Sequence, residues 1–157
     1  MNRSLFDGAP MLAVPLRLHP GDDLRAVLGA ALARHGVAAG FVLQGIGSLS
    51  VAQLRYAGQP GPSSVGGDLE ILSLAGSLAP QGAHLHMAVA DAQGRVLGGH
   101  VCAGCIVRTT AEVLLALLPG QVFGRDFDAA TGFAELSIMP AVPGNPAGPA
   151  EAARQGA

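Results

Sequence analysis

Residues 83–102 read A-H-L-H-M-A-V-A-D-A-Q-G-R-V-L-G-G-H-V-C, and three of the five histidines of the chain fall inside them. Two strand-like runs, 83–90 and 95–107, flank D-A-Q-G, which predicts a β-hairpin. Along an extended strand residues two apart share a face, so His84 and His86 project together while Leu85 points the other way. Whether His100 joins them depends on the pairing register. A loop of Ala92-Gln93-Gly94, a type I turn closed by glycine in the left-handed conformation, pairs Asp91 with Arg95 and sets His86 opposite His100 and His84 opposite Cys102. A two-residue loop would turn His100 away unless a bulge at Gly98-Gly99 corrected it. Glycine at position 94 favours the first geometry.

In that register three imidazoles converge without help from any distant segment. Three histidines and one open position form a familiar arrangement for catalytic zinc, whose borderline softness suits neutral imidazole nitrogen. Nickel, iron and copper fit the same ligands. Gly98 and Gly99 leave the approach uncrowded. A single histidine is more often an ordinary polar residue than a ligand; stacking in one hairpin favours metal binding by His84, His86 and His100 over a polar cluster. Cys102 and Cys105 have CxxC spacing, yet residues three apart on a regular strand face opposite sides. Both are expected to be buried small apolar residues, with Cys102 a minor candidate for a fourth ligand.

Working outward from the hairpin, the clearest helix follows P-G-D-D, where Leu24, Val27, Leu28, Ala31 and Leu32 recur on one face. Asp22 is the expected N-cap and Gly36 the expected stop, with His35 in the last turn facing solvent or the helix's negative end. Strands are expected over 38–44, 49–56 and 69–78, and G-Q-P-G-P-S-S-V-G-G as a loop. Thr109-Thr110-Ala111-Glu112 reads as a capping box opening a second helix through Leu118, stopped by Pro119-Gly120. A last strand is expected over 133–139. Two helices among many short strands imply an α+β fold, a single compact domain over 11–139 with a mixed or antiparallel sheet. Residues 1–10 are expected to be a flexible N-terminus and 140–157 a disordered tail rich in proline, glycine and alanine.

The chain has 157 residues, half of them apolar, with only 13% charged and 23 glycines. That apolar excess points to buried subunit interfaces. No run reaches the length of a membrane span, and an aspartate interrupts the N-terminal stretch where a signal peptide needs its apolar core, so a cytoplasmic protein is expected. Two cysteines agree with a reducing compartment. The net charge is −2 and every basic residue is arginine, scattered singly. The basic patch of a protein that grips DNA is missing.

The succession L-E-I-L-S-L-A-G-S-L, H-L-H, D-A-Q-G-R-V-L-G-G-H-V, V-R-T-T-A-E-V and G-R-D-F-D-A-A-T-G-F-A-E-L resembles the PPC family, the plant and prokaryote conserved domain also called DUF296. The resemblance runs from Arg17 to Ile138, and its motifs are specific as a set. It implies a compact α+β domain that assembles as a homotrimer, similar in fold to acetolactate decarboxylase, with zinc on His84, His86 and His100. Glu70, Glu112 and Arg125 also match family positions on or near the shared surface. Plant members join the domain to AT-hooks and use it for protein association. This sequence has no such hook, so a DNA-binding label would be inherited rather than carried by its charge.

Two kinds of function follow. One is a trimeric assembly or regulatory module whose metal is structural or ligand-sensing. The other is a metal-dependent lyase or hydrolase acting on a small carbonyl substrate, in which the ion polarises a carbonyl or activates water. No catalytic residue is assigned by the sequence, and protein partners beyond the homo-oligomer stay open.

Overall fold

Alternation of apolar and polar residues, rather than helical period, governs most of the chain. The computed structural model describes residues 10–142. The segments expected to be flexible, 1–10 and 140–157, lie outside the described residues except for 10 and 140–142. Eight strands and two short helices follow in the order β1 (Leu12–Leu18), α1 (Leu24–Gly29), α2 (Ala31–Arg34), β2 (Gly40–Arg55), β3 (Ser63–Ala79), β4 (Gly82–Ala90), β5 (Val96–Val101), β6 (Ile106–Leu117), β7 (Gln121–Asp128) and β8 (Phe133–Pro140). This is a single compact domain, mostly antiparallel sheet.

The main sheet runs β1-β6-β2-β3-β4-β5, and β5 returns to β2 through Leu54↔Val101 and Arg55↔His100. That return closes β2, β3, β4 and β5 into a circuit, which removes the free edge of the histidine hairpin. β2 serves three neighbours because it is 16 residues long and bulged, its register slipping at Leu49/Val51 against both β3 and β6. An extra residue in one strand bends it and increases its twist. Inside the curve pack Leu49 and Leu54 of β2, Leu69, Leu74 and Leu78 of β3, Leu85, Met87 and Val89 of β4, and Val107, Val113 and Leu115 of β6. The helices add Leu24, Leu28 and Leu32 to the same core.

Several expectations need correction. The capping box at Thr109 opens no helix: 106–117 is strand β6, paired with β1 on one side and β2 on the other. Ala111, Val113, Leu115 and Leu117 face inward in strict alternation, and two flanking strands outweigh the local helix signal. The first helix is present but broken after Gly29 into two short pieces, and its N-cap is Asp23 rather than Asp22. Asp23 accepts from Ala26 N at 3.1 Å through Oδ1 and from Gly104 N at 2.7 Å through Oδ2, tying the helix to the turn after β5. Gly36 does end the helical segment, at φ +64°, and His35 is exposed. The strands expected at 38–44 and 49–56 are one, the expected loop shortens because β3 begins at Ser63, and the run 95–107 is interrupted by a turn at 102–105. β1 and β7 escaped the sequence reading.

β7 and β8 form a separate two-stranded ribbon. Phe123 of β7, fully buried, meets Phe41 of β2 edge-on with ring centroids 5.3 Å apart, and Phe123 N donates to Ala38 O at 3.0 Å. Those contacts hold the ribbon against the main sheet near the end of β3.

Candidate metal centre

The site begins with the pleat of β4. Leu85, Met87 and Val89 go into the core, so His84 and His86 must lie on the outer face. The turn then fixes the third ring. Asp91 N donates to Arg95 O at 3.0 Å, Gly94 N to Asp91 O at 2.8 Å, and Gly94 takes φ +75°. The Asp91 carboxylate stiffens the loop by accepting from Gln93 N at 2.9 Å, Arg95 N at 3.0 Å and Arg95 Nε at 2.7 Å. The resulting register pairs His86 with His100, Met87 with Gly99 and Ala88 with Gly98, the three-residue-loop geometry. His84 does not oppose Cys102, however. β5 ends at Val101 and Cys102 N turns to Gln53 O of β2 at 2.9 Å, drawn away by the closure of the sheet.

Ring centroids lie 5.2 Å apart for His84 and His86, 5.1 Å for His84 and His100, and 5.6 Å for His86 and His100. One ligand nitrogen from each ring can be chosen so that all lie within 4.8 Å of one another, and this trio could hold a metal ion. Nitrogens bound to one tetrahedral zinc at about 2.0–2.1 Å sit roughly 3.3–3.4 Å apart. His84 Nε2 and His86 Nε2 are 3.3 Å apart, so this pair fits such an ion.

Electrostatics favour the ligating form. Burial, then the Arg125 guanidinium and the His86 ring, hold the His84 imidazole below its ordinary value, with Glu135 pulling the other way. Burial, followed by His84 and Arg55, pushes His100 down to about 4. Both rings are therefore neutral near pH 7, as metal coordination requires.

The strands behind and beside the trio supply its surroundings. β3 backs it with Ser77 opposite His84 and Ala75 opposite His86. Gly76 lies between them at φ +149°, and a Cβ there would overlap the His84 carbonyl oxygen. Only glycine lets β3 come this close. Gly99 has a similar duty, since a Cβ on it would stand 2.7 Å from Arg55 O, so its bareness serves the β5–β2 closure as well as access. A pocket of about 650 Å³ opens in front of the rings, lined also by Arg55, Tyr56, Pro60 and Phe133.

Of the other candidates, Arg125 does approach: its Nη2 donates to Ser77 Oγ at 2.8 Å, directly across from His84. Glu70 and Glu112 do not line this pocket. They line another of about 280 Å³ together with Ser48 and Thr109, whose hydroxyl oxygens are 2.6 Å apart. Cys105 is fully buried and burial pushes its thiol up, which suits an inert packing residue. Cys102 is half-buried and outside the trio. Arg55 was missed because it reaches His100 through long-range strand pairing, Phe133 because it belongs to the separate β7–β8 ribbon, and Ser77 because the pairing of β3 with β4 was not drawn from the sequence. Tyr56, the only tyrosine of the chain, was a visible but unused signal.

Residues 7–119 match the Plants and Prokaryotes Conserved (PCC) domain, and the chain belongs to that family. A hypothetical protein from Salmonella enterica has a similar structure, with TM-score 0.83 and 38% identity over 87% of this chain and 99% of that one. A metal-containing protein from Archaeoglobus fulgidus superposes with TM-score 0.69 and 28% identity over 81% of this chain and 94% of its own. In sequence, the chain is 50% identical over 135 residues to the bifunctional protein GlmU of Synechococcus sp. (strain JA-2-3B'a(2-13)). The match takes in 86% of this chain and 21% of that protein.

Proposed function

We propose that the chain is a cytoplasmic, homotrimeric regulatory module that binds one divalent transition metal, zinc foremost, on His84, His86 and His100. The observation that carries the reading is the geometry of the trio, with two ligand nitrogens at a spacing suited to one ion. Support comes from the metal-containing relative and from a relative in which the matching segment is 21% of a longer chain, as befits a module joined to other units. No helix among the described residues is long and apolar enough to cross a membrane.

Elemental analysis of protein purified without a histidine tag tests the reading. About one ion per chain is expected, falling severalfold in His86→Ala, since removing one of three ligands leaves a two-point site. Stoichiometry far below one that is indifferent to the substitution would overturn it.

The pocket in front of the rings favours a second reading, a zinc-dependent lyase or hydrolase for a small carbonyl compound. When bound, the ion would supply Lewis-acid polarisation or an activated water. The chain itself would contribute neutral imidazoles, Arg55 and Arg125 beside them, and an apolar wall of Tyr56 and Phe133. Some structural neighbours carry a DNA-binding label. Their likeness is one of fold, and the net charge of −2 argues against direct nucleic-acid binding here.

A further inference from the structure

Three of the nine basic residues of the chain collect around the histidine trio from separate elements. Arg55, at the end of β2, is the register partner of His100 and lines the same pocket. Directly opposed residues of an antiparallel pair share a face, so its side chain leaves the sheet on the histidine side. Arg125 reaches Ser77, which is opposite His84. Arg25 of α1 donates from Nη2 to Ala83 O at 2.9 Å, next to His84, and its Nε is buried without a hydrogen-bond partner.

Among the described residues none of the three forms an ion pair: the arginine–carboxylate pairs there are Arg95–Asp91 and Arg108–Asp68. The nearby carboxylate of Glu135 acts on His84 but forms no ion pair with any of these arginines. Of the three, Arg55 lines the pocket itself, and a guanidinium with no carboxylate partner in a chain poor in charge suits an anionic ligand there. A planar guanidinium matches a carboxylate with two parallel hydrogen bonds, and zinc accepts a carboxylate oxygen in its open position. Tyr56, Pro60 and Phe133 provide an apolar wall for a short carbon skeleton. The pocket volume, about 650 Å³, lies in the small-molecule range.

We infer that the histidine pocket is a receptor for a small carboxylate anion, seated beside the metal and gripped by Arg55, with the charge of Arg125 close by on Ser77. The inference rests on the metal reading above and names the ligand class of that site.

The test titrates the full-length untagged protein with oxalate while following the arginine Nε–H signals by NMR, with metal content measured on the same samples. Oxamide serves as the neutral isostere and inorganic phosphate as the competing anion. Saturable shifts of the Arg55 signal with oxalate and none with oxamide are expected. Arg55→Gln, at an exposed position, should weaken oxalate about tenfold or more through loss of a charge-assisted pair, with the circular dichroism spectrum and metal content read on the same sample. Metal-loaded protein whose arginine signals ignore oxalate would overturn the inference and leave the metal reading standing; carboxylates of a neighbouring subunit would then be the natural partners. Arginine shifts in protein that takes up no metal would sustain the anion site and remove the metal. Phosphate binding more tightly than oxalate would overturn the carboxylate class.

Discussion

His100, a ligand in the proposed metal site, is also a liability. Its ring is a neutral base pressed between burial, His84 and Arg55, and it accepts a proton in the folded chain only near about 4. An unfolded histidine does so near 6.5. Between those values the unfolded chain binds more protons, so the stability of the metal-free protein falls as pH drops through that window and is fully present above it. His84, lowered for related reasons, acts in the same direction. Denaturant midpoints of chelator-treated protein, followed from neutral pH down to about 4.5, should drop less in His100→Gln than in the parent. Equal slopes would show that the ring titrates normally. Zinc should raise the midpoints at neutral pH and lose its effect on acidification, because protons compete for the same nitrogens.

Among the elements, β3 and β4 show how backbone approach places the trio. Gly76 takes φ +149° against the His84 carbonyl, whereas Gly66 in the same strand has open space around it. Gly76→Ala should therefore cost about 2 kcal/mol or more in urea unfolding and disturb metal uptake, while Gly66→Ala stays within about 0.5 kcal/mol. Similar losses in both would mean that the close approach does not matter. The hairpin itself was legible in the sequence because everything needed to set it is local: the alternation around Leu85, an aspartate able to cap its own turn, and a glycine at position 94. β6 was misread for the opposite reason. Its V-L-L-A-L run is short and apolar enough to suit either helix or strand, and the decision is made by β1 and β2, which lie far away in sequence. The same distance hid Arg55, brought to His100 only by the closing of the sheet. Asp23 rather than Asp22 caps the helix because its second oxygen has a tertiary partner in Gly104, which no local signal announces.

A single chain leaves apolar side chains of its sheet uncovered. Leu43, Ile46, Leu72 and Leu114 remain 39–50% exposed. Ile46 is opposite Glu112, and Leu114 follows two residues later on the same outer face of β6. Ile46 and Leu114 also line a groove of about 560 Å³ with Pro15 and Leu16 of β1. An apolar face on a sheet of low charge is poorly suited to water and well suited to another copy of itself, in keeping with the proposed trimer. Placing a charge there should separate the copies without touching the core: burying an unpaired carboxylate at an interface costs several kcal/mol, while exposing it on a free chain costs little. Ile46→Asp is thus expected to sediment as a single chain with an unchanged circular dichroism spectrum, and the parent as three. A parent that sediments as one chain at all concentrations would end the trimer proposal. An Ile46→Asp variant that stays assembled would move the interface to another face, with Phe127 and Phe133 of the β7–β8 ribbon, more than 70% exposed, the next surface to charge.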